Sequence, residues 1–152
     1  MLKIPVMAVV LILACSVAAR PATIDVGALD QDKPPAAAEL QEPAEDAQVP
    51  AVGQYATVTG TFSGEHERNV YVLVNPLSNP ATRNVWWVQR GVRRDGDRFD
   101  CSCQFGEGWQ GQGEYFAILA IATDRRYTVG QRLQGLPPEL QCSQLKIVKR
   151  TR

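Results

Sequence analysis

The stretch Arg98-Phe99-Asp100-Cys101-Ser102-Cys103-Gln104-Phe105 decides how this chain folds. Phe99, Cys101, Cys103 and Phe105 alternate with Arg98, Asp100, Ser102 and Gln104. A period of two puts each set on its own face of an extended strand, the apolar set inward. Just upstream, Arg94-Asp95-Gly96-Asp97 carries the Asp-Gly pair that closes a hairpin. Val85-Trp86-Trp87-Val88 reads as a strand ending near Gly91, and Val70 to Val74 as a central strand apolar on both faces. Asn75-Pro76 and Asn79-Pro80 break the chain between them. In Ala56 to Phe62, Thr57, Thr59 and Thr61 share one face while Val58 and Phe62 share the other. Downstream, a glycine-rich loop over Gly106 to Gly113 leads into the fully apolar strand Tyr115 to Ala122. Pro137-Pro138 marks a loop, and Leu145 to Val148 a short closing strand. Strands and turns at short intervals, with no long helix, predict an all-β domain over residues 51–152.

The order of these segments is also informative. Val58-x-Gly60, Val70-Tyr-Val-Leu-Val74, Trp86-Trp-Val-Gln89, Asp95-Gly-x-x-Phe99 and Gly113-Glu-Tyr-Phe-Ala-Ile-Leu-Ala120 follow one another along the chain. Over residues 54–149 this resembles bacterial immunoglobulin-like and fibronectin-type extracellular modules. The resemblance implies a β-sandwich of about six to seven strands. The Cys…Trp…Cys spacing of antibody domains is absent, and a five-stranded OB-type barrel is the alternative.

Residues 1–19 read as an export signal, with Lys3 ahead of an apolar run from Ile4 to Ala14. That run is short of the roughly 20 residues a membrane span needs. Ile12-Leu13-Ala14-Cys15 resembles the lipobox of bacterial lipoprotein signals, and the resemblance implies lipidation of Cys15 as the mature N-terminus. Ser16 resembles the residue type that permits transfer to an outer membrane. The competing reading cleaves after Ala19, served by the small residues Val17 and Ala19, and discards Cys15; a third leaves the segment uncleaved. Residues 20–50 are rich in Ala, Pro, Glu, Asp and Gln. Seven acids stand against Lys33 between positions 21 and 50, a net of −6. That composition predicts a disordered acidic tether. Residues 51–152 carry thirteen Lys and Arg against nine Asp and Glu, a net of +4 that does not by itself indicate nucleic-acid binding. The expected address is the cell envelope, as an outer-membrane lipoprotein if Cys15 is modified and otherwise secreted or periplasmic. Contact with membrane is expected only through that anchor.

With Cys15 in the signal, Cys101, Cys103 and Cys142 remain. An oxidising compartment favours a bridge from Cys101 or Cys103 to Cys142, closing a loop of about 40 residues worth roughly 4 kcal/mol in the chain-entropy model. Buried thiols are the alternative; Cys-x-Cys with one distant cysteine lacks zinc spacing, so no metal or other cofactor is expected. The single histidine, His66, sits between Glu65 and Glu67 in a polar turn with no matching nucleophile motif, so no catalytic residue is assigned. Asp95, Asp97 and Asp100 lack a full calcium ligand set. The glycines at 106, 108, 111 and 113 precede no helix and read as a flexible connection rather than a phosphate cradle. The tryptophans stand out. Trp86 and Trp87 are adjacent on one strand and must face opposite ways, so one fills the core and the other is at least partly exposed unless a loop covers it. Trp86 or Trp87, Trp109, Arg90, Arg93 and Arg94 form the candidate binding surface. The expectation is a non-catalytic binding or adhesion module for an envelope protein or polysaccharide. The alternative is an assembly accessory that pairs strands or surfaces with a protein partner.

Overall fold

The computed structural model describes residues 20–64 and 67–152. The export signal with Cys15, and His66, lie outside the described residues. Eleven strands follow in chain order: β1 (Thr23–Ala28), β2 (Ala51–Val52), β3 (Tyr55–Thr61), β4 (Asn69–Pro76), β5 (Val85–Val88) and β6 (Arg93–Asp95). Then come β7 (Arg98–Gln104), β8 (Tyr115–Thr123), β9 (Arg132–Gln134), β10 (Gln141–Cys142) and β11 (Lys146–Arg150). The protein is all-β, with two 3-10 turns of three residues each as its helical content among the described residues.

The strands form two mixed sheets. The smaller runs β1-β3-β7-β6, and the larger runs β2-β11-β8-β4-β5-β9 with β10 also on β8. All pairings are antiparallel except β1 with β3 and β2 with β11. Gly96-Asp97 is the two-residue turn between β6 and β7, and Gly96 has the positive φ of +57° that such a turn requires. β10 and β11 share one edge of β8. Between them Ser143 keeps the ladder closed, its hydroxyl accepting the Ala120 N–H at 3.0 Å while its own N–H donates to Ala120 O.

Two cores result. The first lies between the sheets, where Val58, Cys101, Cys103 and Phe105 meet Val72, Val74, Phe116 and Ile118. The second lies on the far face of the larger sheet, where Leu73, Trp86, Leu119, Ile121 and Cys142 are covered by Leu40, Leu133 and Leu140. β8 faces both, which is why its sequence is apolar without alternation. Each fully buried Ile or Leu there contributes roughly 1.5–3 kcal/mol relative to exposure.

The observed architecture departs from the sequence expectation in three places. There are eleven strands instead of six or seven, because β2, β6, β9 and β10 hold only two or three residues and carry no readable periodicity. The stretch expected as a tether supplies β1, hydrogen-bonded to β3 with Ile24 and Val26 in the first core. It continues as a strap over the second core, pinned by reciprocal bonds between Gln31 and Cys142 and by Leu40, 2% exposed. Its polar composition hides this, since only Ile24, Val26, Leu29 and Leu40 of it are buried, with Ala22 packed beside them. Finally, Cys101, Cys103 and Cys142 are all free thiols. Cys101 and Cys103 do share a face, 3.8 Å apart at sulfur, but in the core between the sheets; Cys142 lies beyond the larger sheet in the other core. A bridge to Cys142 would have to pass through that sheet.

Leu40→Ala is expected to lower stability by about 2–4 kcal/mol, read as a shifted urea midpoint, because it empties the strap's anchor in the second core. The thiols make a second test. Burial, then Asp30 and Asp32, lift Cys142 from an ordinary 9.0 to about 11. The bond from Cys103 to Cys101, then burial, raises Cys103 as well. The unfolded chain therefore loses these protons first, and stability should fall as pH climbs from about 9 to about 11. Alkylation without reductant should label all three thiols after denaturation and spare them in the native protein at pH 8; a native disulfide count of one would contradict the assignment.

Candidate functional site

The alternation of β5 sends its two tryptophans to opposite faces. Trp86 is fully buried in the second core. Trp87 pairs with Val74 and so shares the face on which the smaller sheet packs, yet it remains 38% exposed. The smaller sheet therefore leaves it partly uncovered, at an open mouth between the two layers. Arg132, directly opposite on β9, lays its guanidinium 5.0 Å from the Trp87 ring centre. Gln89, just beyond β5, ties the two sheets together at the mouth. Its Oε1 accepts the Gln104 N–H at 2.8 Å, and its Nε2 donates to Trp87 O at 3.2 Å.

The opposite wall is the loop from Gly106 to Gly113, with Trp109 at its tip and 79% exposed. This loop is built around Arg150. The Arg150 guanidinium, from β11, donates to Phe105 O at 2.7 Å and also to the carbonyls of Gly108 and Gln110. Its backbone adds two bonds, accepting from Gly113 N–H and donating to Glu114 O. Arg150 is 3% exposed, and among the described residues no carboxylate pairs with it, so loop carbonyls alone solvate a buried cation. Gly106 is required here: its φ is +73°, and a Cβ would strike Gln110 O and the Arg150 guanidinium. What reads in sequence as a flexible connection is an ordered loop.

Trp87 and Trp109 thus line one open groove of about 930 Å³. Pro76 and Val129 contribute apolar surface above the buried Val74 and Phe116, and Gln89, Gln104, Gln110 and Gln112 are among the lining residues. Arg90, Glu107 and Glu114 complete the polar lining. Of the candidate surface, then, the structure brings together Trp87, Trp109 and Arg90. It removes Trp86 to the core. It places Arg93 and Arg94 elsewhere, along a depression of about 770 Å³ on the smaller sheet with Asp25, Thr59 and Arg98. There Arg93 is paired with Asp100 at 2.9 Å, and Arg94 lies over the Phe62 ring at 5.2 Å. The glutamines and Arg150 escape a sequence reading, since isolated Gln residues carry no motif and a C-terminal Arg looks like surface charge.

Among the described residues no three His, Cys, Asp or Glu side chains cluster as a metal site would require, and no helix is long and apolar enough to cross a membrane. Compared with protein-family models, curated proteins and solved structures, the chain matches none.

Arg150→Met leaves three loop carbonyls without their donor. It is expected to cost at least about 2 kcal/mol and to speed amide hydrogen exchange across 106–113 well before it affects β4 or β8. Arg150→Lys, which keeps the charge but not the fork, should fall between the two.

Proposed function

We propose that this chain is a non-catalytic binding or adhesion module of the cell envelope or secreted space, and that the groove between Trp87 and Trp109 is its contact site. One observation carries the proposal. Two exposed indoles, from segments far apart in the chain, converge on one groove, and the more exposed one stands on a loop held by a buried cation. Exposing a large aromatic ring forfeits burial energy, and rigid aromatics at a groove are the common anchors of binding surfaces. The proposal takes in the immunoglobulin-like comparison, as a sandwich that offers its site at one end. It also takes in export with lipidation of Cys15, which would hold the module at a membrane surface.

Cosedimentation with isolated cell envelope tests it. The wild-type chain is expected to be retained, and the double variant Trp87→Ala, Trp109→Ala to lose at least about tenfold in affinity, on the order of 1.4 kcal/mol. Unchanged retention of the double variant would overturn the groove as the site, and release of low-mass products from the envelope would overturn the non-catalytic reading. If retention ignores the tryptophans but fails on Arg93→Pro in the edge strand β6, strand pairing with a protein partner takes its place.

A further inference from the structure

We infer that the groove takes an uncharged glycan chain. The inference rests on the binding reading above and adds the chemical class of the ligand. The first argument is the pairing of surfaces. A sugar ring presents a face of C–H groups, which stacks on an indole, and a rim of hydroxyls, each both donor and acceptor. A glutamine side chain answers a hydroxyl in kind, with a carbonyl acceptor and an NH₂ donor on one plane. This groove combines two indoles with four glutamines, of which Gln89 and Gln104 keep only their remaining donor and acceptor positions for a ligand.

The second argument is charge. Among the described residues Arg90 is the basic residue lining the groove and Arg132 lies over the Trp87 ring at its edge, so two cations stand against the two carboxylates Glu107 and Glu114. A phosphate, a uronate chain or a nucleic acid would find no excess of cations here to hold it. An acyl chain would leave the Gln110 and Gln112 amides and the charges of Arg90, Glu107 and Glu114 without partners. A proline-rich peptide could stack on the indoles, but proline has no N–H to offer the amide carbonyls. An uncharged, hydroxyl-rich polymer satisfies the whole lining.

The third argument is order. The Gln89 and Gln104 side chains are already oriented, Gln89 by Gln104 N–H and Trp87 O, and Gln104 by Gly106 O at 3.1 Å. The backbone that carries Gln110 is held by Arg150. Fixed polar groups lose little entropy when ligand arrives. The groove is open rather than enclosed, which suits a segment of a chain more than a free monosaccharide.

Titration of the full chain with oligosaccharide probes, followed by the indole N–H signals in ¹H–¹⁵N spectra, tests the inference. The uncharged probes are oligomers of β-1,4-glucose, α-1,4-glucose, β-1,4-mannose and β-1,4-N-acetylglucosamine; the comparison probes are oligogalacturonate and a proline-rich peptide. At least one uncharged oligomer is expected to shift Trp87 and Trp109 while leaving Trp86 in place. Its affinity should fall at least tenfold in Trp109→Ala and about fivefold in Gln110→Ala, Gln112→Ala, both on exposed positions that leave the fold intact. If oligogalacturonate or the peptide alone shifts those two indoles, the glycan class is wrong and the groove stands. If no probe shifts them while envelope retention still depends on Trp87 and Trp109, the glycan inference again fails alone. An uncharged oligomer that binds without moving either indole would overturn both.

Discussion

The structure depends on the burial of β8 on both faces. Tyr115–Thr123 pairs with β4 along one edge and with β10 and β11 along the other. Its even-numbered residues from Phe116 to Ala122 face the smaller sheet, and Ala117, Leu119 and Ile121 face the second core. A strand apolar on both sides cannot serve a two-layer sandwich with one wet face; it demands a cover on each. The smaller sheet supplies one cover. The other has to be assembled from irregular chain, namely the strap through Leu40 and the segment from Tyr127 to Leu140. This explains why a segment as polar as residues 29–40 is ordered. It has few apolar residues, but β8 has a face that requires them.

The candidate site follows from incomplete cover between the two layers. At the β5 side one position on the inner face of the larger sheet is left only partly covered, 38% exposed. Trp87 occupies that position, and the loop carrying Trp109 closes toward it from the other side. A loop with four glycines would ordinarily lose too much entropy to hold one shape. Here a buried guanidinium does the holding. With no carboxylate beside it, Arg150 needs the loop carbonyls as much as they need its donors, and each half of the contact would be costly to leave unmet.

Much of this was legible in the sequence, and where it was not the reason is physical. Of the seven strands of four or more residues, all but β1 lie where alternation or unbroken apolarity puts them, because a seven-residue period-two pattern such as Arg98–Gln104 admits few other folds. The opposed facing of Trp86 and Trp87 was also legible, because it follows from strand geometry alone. The short strands were not: β9 holds three residues and β10 two, and pairing partners rather than residue types make them strands. Spacing along the chain carries no information about which face of which sheet a residue will reach, so it cannot separate Cys142 in the second core from Cys101 and Cys103 in the first. Arg93 and Arg94 are near Trp87 in sequence, but the chain turns onto the other sheet between them.

By itself, then, the sequence determined the all-β class, the principal strands, the Gly96-Asp97 turn and the presence of one surplus tryptophan on β5. These are local properties, set by the period of side chains along an extended backbone and by which residues accept positive φ. Only the tertiary structure decided that Trp87 is the outward one, that Trp109 stands across from it, and that Arg150 orders the loop between. Each of those depends on how the two layers cover each other and on contacts between residues some forty positions apart, and no local pattern encodes them.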